Sequence, residues 1–138
     1  MKFQASLQFG DNTVGYYAKQ YGVVNFKCRF NREFDGFQPA TVAYCERITL
    51  TIVAPGRQDL SLYEWFTSGG VLNGSIVFHA TLGANVNQEE TRVLYFEEAH
   101  CFSLSEHYDI DLPERRLLVL EFDAEIVNYN NQTFKHLS

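Results

Sequence analysis

Leu118-Val119-Leu120-Glu121-Phe122-Asp123-Ala124-Glu125-Ile126 sets Leu118, Leu120, Phe122, Ala124 and Ile126 on one face and Glu121, Asp123 and Glu125 on the other. Successive side chains of a strand point to opposite faces, so an apolar row backed by an acidic row marks a half-buried antiparallel strand. The same period runs outward through the chain. Phe3, Ala5, Leu7 and Phe9 oppose Lys2, Gln4, Ser6 and Gln8, while Val24, Phe26, Cys28 and Phe30 oppose Asn25, Lys27 and Arg29. Ile48, Leu50 and Ile52 oppose Thr49 and Thr51, and Ile76, Phe78, Ala80 and Leu82 oppose Val77, His79 and Thr81. Shorter strands are expected near 14–21, 41–46, 91–97 and 100–107. Eight or nine strands separated by turn signals predict a mainly β protein, a barrel or a sandwich closed into one.

One segment leaves the period of two. In Asp59-Leu60-Ser61-Leu62-Tyr63-Glu64-Trp65-Phe66, the residues Leu62, Trp65 and Phe66 fall at i, i+3 and i+4. Asp59 is placed to cap the start, Ser61 with Glu64 offers a second capping pair, and Gly69-Gly70 ends the turn. A helix this short needs the sheet to hold it, with Trp65 and Phe66 expected to dock it.

The chain has 138 residues, 46% hydrophobic and 15% aromatic, which fits one domain over 1–138 and excludes disorder. The longest clean apolar run, Leu117-Leu118-Val119-Leu120, is far short of the ~20 residues of a spanning helix, so no membrane insertion is expected. The alternating start argues against a cleaved signal peptide, which predicts folding in the cytosol and export, if any, without a leader. A net charge of −6 argues against a nucleic-acid partner. The charge is uneven: residues 1–69 hold 7 Lys/Arg and 6 Asp/Glu, residues 70–138 hold 4 and 11. Complementary contacts between copies follow if those halves form opposite faces.

No constellation of reactive residues assembles. Glu97 and Glu98 are strand neighbours that point apart, and the pairs Glu89-Glu90 and Asp109 with Asp111 read as solvated surface. His79, His100, His107 and His136 lack metal-ligand spacing, and His100 diverges from Cys101. Cys28, Cys45 and Cys101 are odd in number and widely spaced, which reads as buried reduced thiols rather than a disulfide framework or a zinc site. No catalytic residue, metal or cofactor is expected. What stands out is the loop Arg32, Glu33, Phe34, Asp35, Gly36, Phe37, Gln38, Pro39, which is long for a hairpin connection and carries two aromatic residues between turn formers.

Three segments in order, Ser61-Leu62-Tyr63-Glu64-Trp65, Gly74-Ser75-Ile76-Val77-Phe78 and Tyr95-Phe96-Glu97-Glu98-Ala99-His100-Cys101 leading to Ser105-Glu106, resemble the Hcp tube protein of type VI secretion systems, in the TssD form of Bacteroidetes. The resemblance covers about residues 1–127 and leaves the tail 128–138 unplaced. It implies an antiparallel two-sheet β-barrel with one short α-helix, similar to phage tail-tube proteins. It further implies a non-enzymatic subunit of homo-hexameric rings stacked into a hollow tube. Sheath and spike proteins of the apparatus, and effector proteins in the lumen, are the implied partners. On this likeness Arg32–Pro39 is the loop that reaches a neighbouring subunit or ring; the family's loop is often richer in Thr, Gly, Arg and Ser, whereas here Gly36 and Pro39 remain and Phe34 and Phe37 dominate. The rival reading is a small-ligand carrier with the barrel interior as its pocket, which a filled interior would defeat.

Overall fold

The computed structural model describes residues 2–32, 34–39, 43–81, 89–108, 111 and 116–135. Strands β1 (Lys2–Asp11), β2 (Tyr16–Asn31), β3 (Phe34–Asp35), β4 (Gln38–Pro39) and β5 (Tyr44–Val53) precede helix α1 (Ser61–Ser68). Strands β6 (Leu72–Thr81), β7 (Glu89–Tyr108), β8 (Arg116–Tyr129) and β9 (Gln132–Lys135) follow it. The main sheet runs β5-β2-β1-β6-β7-β8-β9, and a further pairing of β5 with β8 closes the first six strands into a barrel. Every pairing is antiparallel. The expected barrel is thus present, as one continuous sheet closed upon itself. None of the described helices is long and apolar enough to cross a membrane.

The alternating rows fill the interior. Leu7, Ile48, Leu50, Ile52, Ile76, Leu118, Leu120 and Phe122 are wholly buried. Aromatic rings meet among them: Phe9 lies 6.0 Å from Phe96, Phe96 5.1 Å from Phe122, and Phe26 4.8 Å from Phe78. These rings and aliphatic side chains form one packed cluster among the described residues. The side chains of Phe3 and Ala80, and Leu82 as a whole, lie outside the described set.

Three expected pairs of short strands prove to be single long strands. The segments near 14–21 and 24–30 join as β2, those near 91–97 and 100–107 join as β7, and Ile48–Ile52 continues back to Tyr44 in β5. A bulge explains each apparent break. β2 slips between Val23 and Asn25, so Val23 packs on the core while Val24 turns outward, contrary to the expected row. On β7, Glu97 and Glu98 oppose the single residue Asn73 of β6, and the Glu98 N–H donates to the Asn73 Oδ1 at 2.8 Å. Beyond it the inward rows of both strands shift by one: Ala99 and Ala124 are buried, then Phe96 and Val127. Ile126, expected inside, is therefore exposed.

The helix ends as its sequence signals but does not start so. Leu60 takes the N-cap position without a side-chain cap, and neither Asp59 nor the Ser61–Glu64 pair caps it, because Asp59 sits one residue too early and is used in a turn before the helix. The Ser61 N–H donates to Asp59 Oδ1 at 3.0 Å, and Gly69 closes the helix with φ 69°, the left-handed conformation that suits glycine. Leu62 and Trp65 are buried, but Phe66 stays exposed and does not dock the helix. Trp65 inserts between Phe9 and Phe122, with ring separations of 5.3 and 5.4 Å, and its Nε1–H donates to the Ala99 carbonyl at 2.9 Å.

Candidate functional site

The connection between β2 and β5 is a small hairpin of its own. Phe34 pairs with Pro39 and Asp35 with Gln38, leaving Gly36 and Phe37 as the two-residue turn. Gly36 has φ 65°, as a Gly-first hairpin turn requires, and Phe37 at the tip is fully exposed. A bare phenylalanine on a turn costs solvation and gains nothing within this chain. Arg32 and Gln38 are exposed as well. Glu33 and Ala40, and the side chains of Phe34, Asp35 and Pro39, lie outside the described residues. The hairpin stands on the last rung of the β2–β5 ladder, Asn31 with Tyr44, where Asn31 Nδ2 donates to Glu46 Oε1 at 2.7 Å and Arg29 pairs with Glu46 at 3.3 Å.

The strand order gives the charge asymmetry a spatial meaning. β5, β2 and β1 come from the near-neutral first half and lie side by side; β6, β7, β8 and β9 come from the acidic second half and complete the circuit. The halves are contiguous sides of one barrel, meeting along β1–β6 and β5–β8. At the second seam Arg47 pairs with Glu121 at 3.4 Å and Asp123 at 4.0 Å, and its guanidinium lies 5.1 Å from the Phe102 ring.

Two surface clefts are lined by described residues. One, of ≈ 350 Å³, involves Asn12, Tyr95, Glu97 and Asn128. Asn12 is already engaged there, donating to the Phe96 carbonyl and to Glu97 Oε1, both at 3.1 Å, and accepting from the Tyr17 hydroxyl. The other, of ≈ 450 Å³, runs along α1 past Lys19, Glu64 and Trp65. Among the described residues no group of three or more His, Cys, Asp or Glu converges as metal ligands would.

The three motif segments meet in one place. Gly74 pairs with Phe96, and a Cβ at Gly74 would collide with the Gln8 carbonyl oxygen and the Phe96 ring. Ser75 is buried and donates from its Oγ to Gln8 Oε1 at 3.1 Å. Trp65 reaches the Ala99 carbonyl just beyond the Glu97-Glu98 bulge. The residues that carry the resemblance therefore hold helix, β6 and β7 together.

The family model for Hemolysin coregulated protein Hcp (TssD) matches residues 1–136. The chain belongs to the Hcp (TssD) family. That match includes most of the tail left unplaced by the sequence motifs, which here forms the end of β8, a turn at Asn130-Asn131 and β9. No curated protein matches the chain by sequence. Solved Hcp structures share its fold. Hcp1 from Flavobacterium johnsoniae is 20% identical with TM-score 0.68, covering 96% of this chain and 99% of its own. The secreted protein Hcp3 from Pseudomonas aeruginosa is 14% identical with TM-score 0.65, covering 99% and 98%. Hcp1 from Salmonella typhimurium is 14% identical with TM-score 0.66, covering 97% and 92%. Hcp is a structural tube-protein family. Two of the residues weighed as catalytic candidates have partners within the chain. Glu97 is spent on Asn12, and His79 Nδ1 shares a hydrogen bond with the Thr91 hydroxyl at 3.2 Å. Asp109, His136 and the side chains of Glu89 and Glu90 lie outside the described residues.

Proposed function

We propose that this chain is a subunit of the inner tube of a type VI secretion system, forming hexameric rings that stack into a hollow conduit. The observation that carries this reading is the family match over 1–136. In this role the protein leaves the cytosol without a cleaved leader, works with the sheath and spike proteins of the apparatus, and carries effector proteins in its lumen. Arg32 to Pro39 serves as the contact with a neighbouring subunit or ring. Its support is the fully exposed Phe37 on a preformed turn, an anchor of the kind that binding energy concentrates on. A ring repeats one head-to-tail contact between two different surfaces, and the near-neutral and acidic sides of the barrel supply such a pair.

Negative-stain microscopy and light scattering of the purified chain test the reading directly. Rings of six-fold symmetry are expected, and a strictly monomeric protein at high concentration overturns it. Replacing Phe34 and Phe37 together by Ser is expected to weaken assembly at least tenfold and leave the melting curve unchanged. Unaltered rings or tubes in that variant would remove the hairpin from the contact.

A further inference from the structure

Cys28 and Cys45 are 17 positions apart in the chain, yet their Sγ atoms lie 2.9 Å apart. Cys28 sits on β2 opposite Ile48 and Cys45 on β5 opposite Phe30, with Glu46 as the extra residue of a bulge between those rungs. A bulge kinks the ladder and sharpens its twist, and here the two thiols meet on the inner row. Cys45 is buried, Cys28 is half-buried, and all three cysteines of the chain are free. A disulfide spans about 2.05 Å, so closure needs an approach of only about 0.9 Å. Two thiolates sharing a zinc-like ion at about 2.3 Å each stand about 3.8 Å apart. The distance is equally far from both, but a chelate needs further ligands, and among the described residues no group of three or more His, Cys, Asp or Glu converges.

We propose that Cys28 and Cys45 form a redox-closed staple: a low-molecular-weight disulfide oxidises them to an intramolecular disulfide that pins β2 to β5 beneath the 34–39 hairpin. The Cys28 thiolate attacks one sulfur of the oxidant R–S–S–R, forming Cys28–S–S–R and releasing RS⁻. Cys45 then attacks Cys28 Sγ, forms the Cys28–Cys45 bond and expels the second RS⁻. Two electrons reduce the oxidant, and the two thiol protons end on the two RSH. Exposure sets the order, because Cys28 is the thiol that solvent reaches. Hydrogen bonding to Cys28, together with burial, pushes the Cys45 thiol up. Conversion of Cys28 to a mixed disulfide removes that hydrogen bond and presents Cys28 Sγ to Cys45 as the sulfur to be attacked. Cys101 is a built-in control: burial pushes its thiol up to about 11, and its Sγ donates to the Ser103 carbonyl, not to another cysteine.

The staple lies just inside the last rung, Asn31 with Tyr44, on the two strands that lead into and out of the 34–39 hairpin. It therefore ties together the two strand ends that flank the hairpin. The test is to treat the reduced full-length chain with oxidised glutathione, alkylate the remaining thiols and map the peptides by mass. One alkylated thiol, at Cys101, and a Cys28–Cys45 peptide lighter by two hydrogens are expected. The oxidised form should melt about 5–10 °C higher through closure of a loop of about 16 residues, reversibly with reductant. C28S should show neither the bridge nor the shift, and C45S should accumulate the glutathione adduct at Cys28. Three alkylated thiols, a persistent adduct on Cys28 of the unsubstituted chain, or a bridge that includes Cys101 overturns the proposal. Should C45S fail to fold, C28S carries the test alone, since its side chain is half-buried.

Discussion

Gly74 is held by the Gln8 carbonyl on one strand and the Phe96 ring on the other, so no larger residue fits without moving backbone. G74A is expected to lower unfolding free energy by at least about 2 kcal/mol in urea titration, the upper range for overpacking. Trp65 poses the opposite problem. W65A opens a cavity between Phe9 and Phe122 and should cost about 3–5 kcal/mol, whereas W65F, which keeps a ring there but removes the hydrogen bond to the Ala99 carbonyl, should cost about 1–2 kcal/mol. Asp59 adds a pH signature. Burial opposes its charge, but the Ser61 backbone N–H and hydroxyl, the Tyr21 hydroxyl and the Lys19 ammonium outweigh it and hold the carboxyl below its usual value. A depressed carboxylate stabilises the fold above its unfolded pKa of 3.8 and loses that contribution as pH falls below it. Losing the hydrogen bonds that Asp59 accepts from the Ser61 N–H and the Tyr21 hydroxyl, D59A should be about 1 kcal/mol less stable than the parent at pH 7, with the gap narrowing below about pH 4. An undiminished gap at pH 3 would refute the assignment. Tyr21 gives the complementary limit: burial first, then Asp59, pushes its hydroxyl up to about 12, so its stabilising effect fades as pH rises above about 10.

At the level of elements, the rows in β1, β5 and β8 and the helix spacing were legible because each element keeps one period over most of its length. Ile48, Leu50, Ile52, Leu118, Leu120 and Phe122 all face inward as the alternation requires. What the alternation cannot reveal is where one extra residue resets it. Val24, Ile126 and Phe66 were misread for local reasons: a bulge in β2, the paired kink of β7 and β8, and a helix too small to bury three apolar positions. The proximity of Cys28 and Cys45 was illegible for a related reason, since it depends on the register of two strands and a bulge at Glu46. The hairpin at 34–39 was visible as an aromatic, turn-rich segment, but its pairing of Phe34 with Pro39 was not, because proline signals the end of a strand more strongly than a rung. Its exposure can be checked alone: F37S should leave the unfolding free energy within about 0.5 kcal/mol, the behaviour of a surface substitution.

For the whole molecule, the decisive fact is that each half of the sequence forms a contiguous side of the barrel. If the acidic side of one copy meets the near-neutral side of the next, assembly is electrostatically assisted. Raising salt from 0.1 to 1 M, which shortens the screening length from about 10 to 3 Å, should then lower the ring fraction measured by sedimentation. A ring fraction indifferent to salt would assign the contact to apolar residues. The seam that closes the barrel has a consequence in time. Ile48 pairs with Phe122, 74 positions later, so the first sheet of β1, β2 and β5 must wait with a bare edge while the remainder of the chain is synthesised. Non-local closure of this kind makes refolding slow, on the order of milliseconds to seconds. The hairpin at 34–39, by contrast, joins residues at most five positions apart. The turn that carries the exposed Phe37 can therefore close well before the body on which it sits.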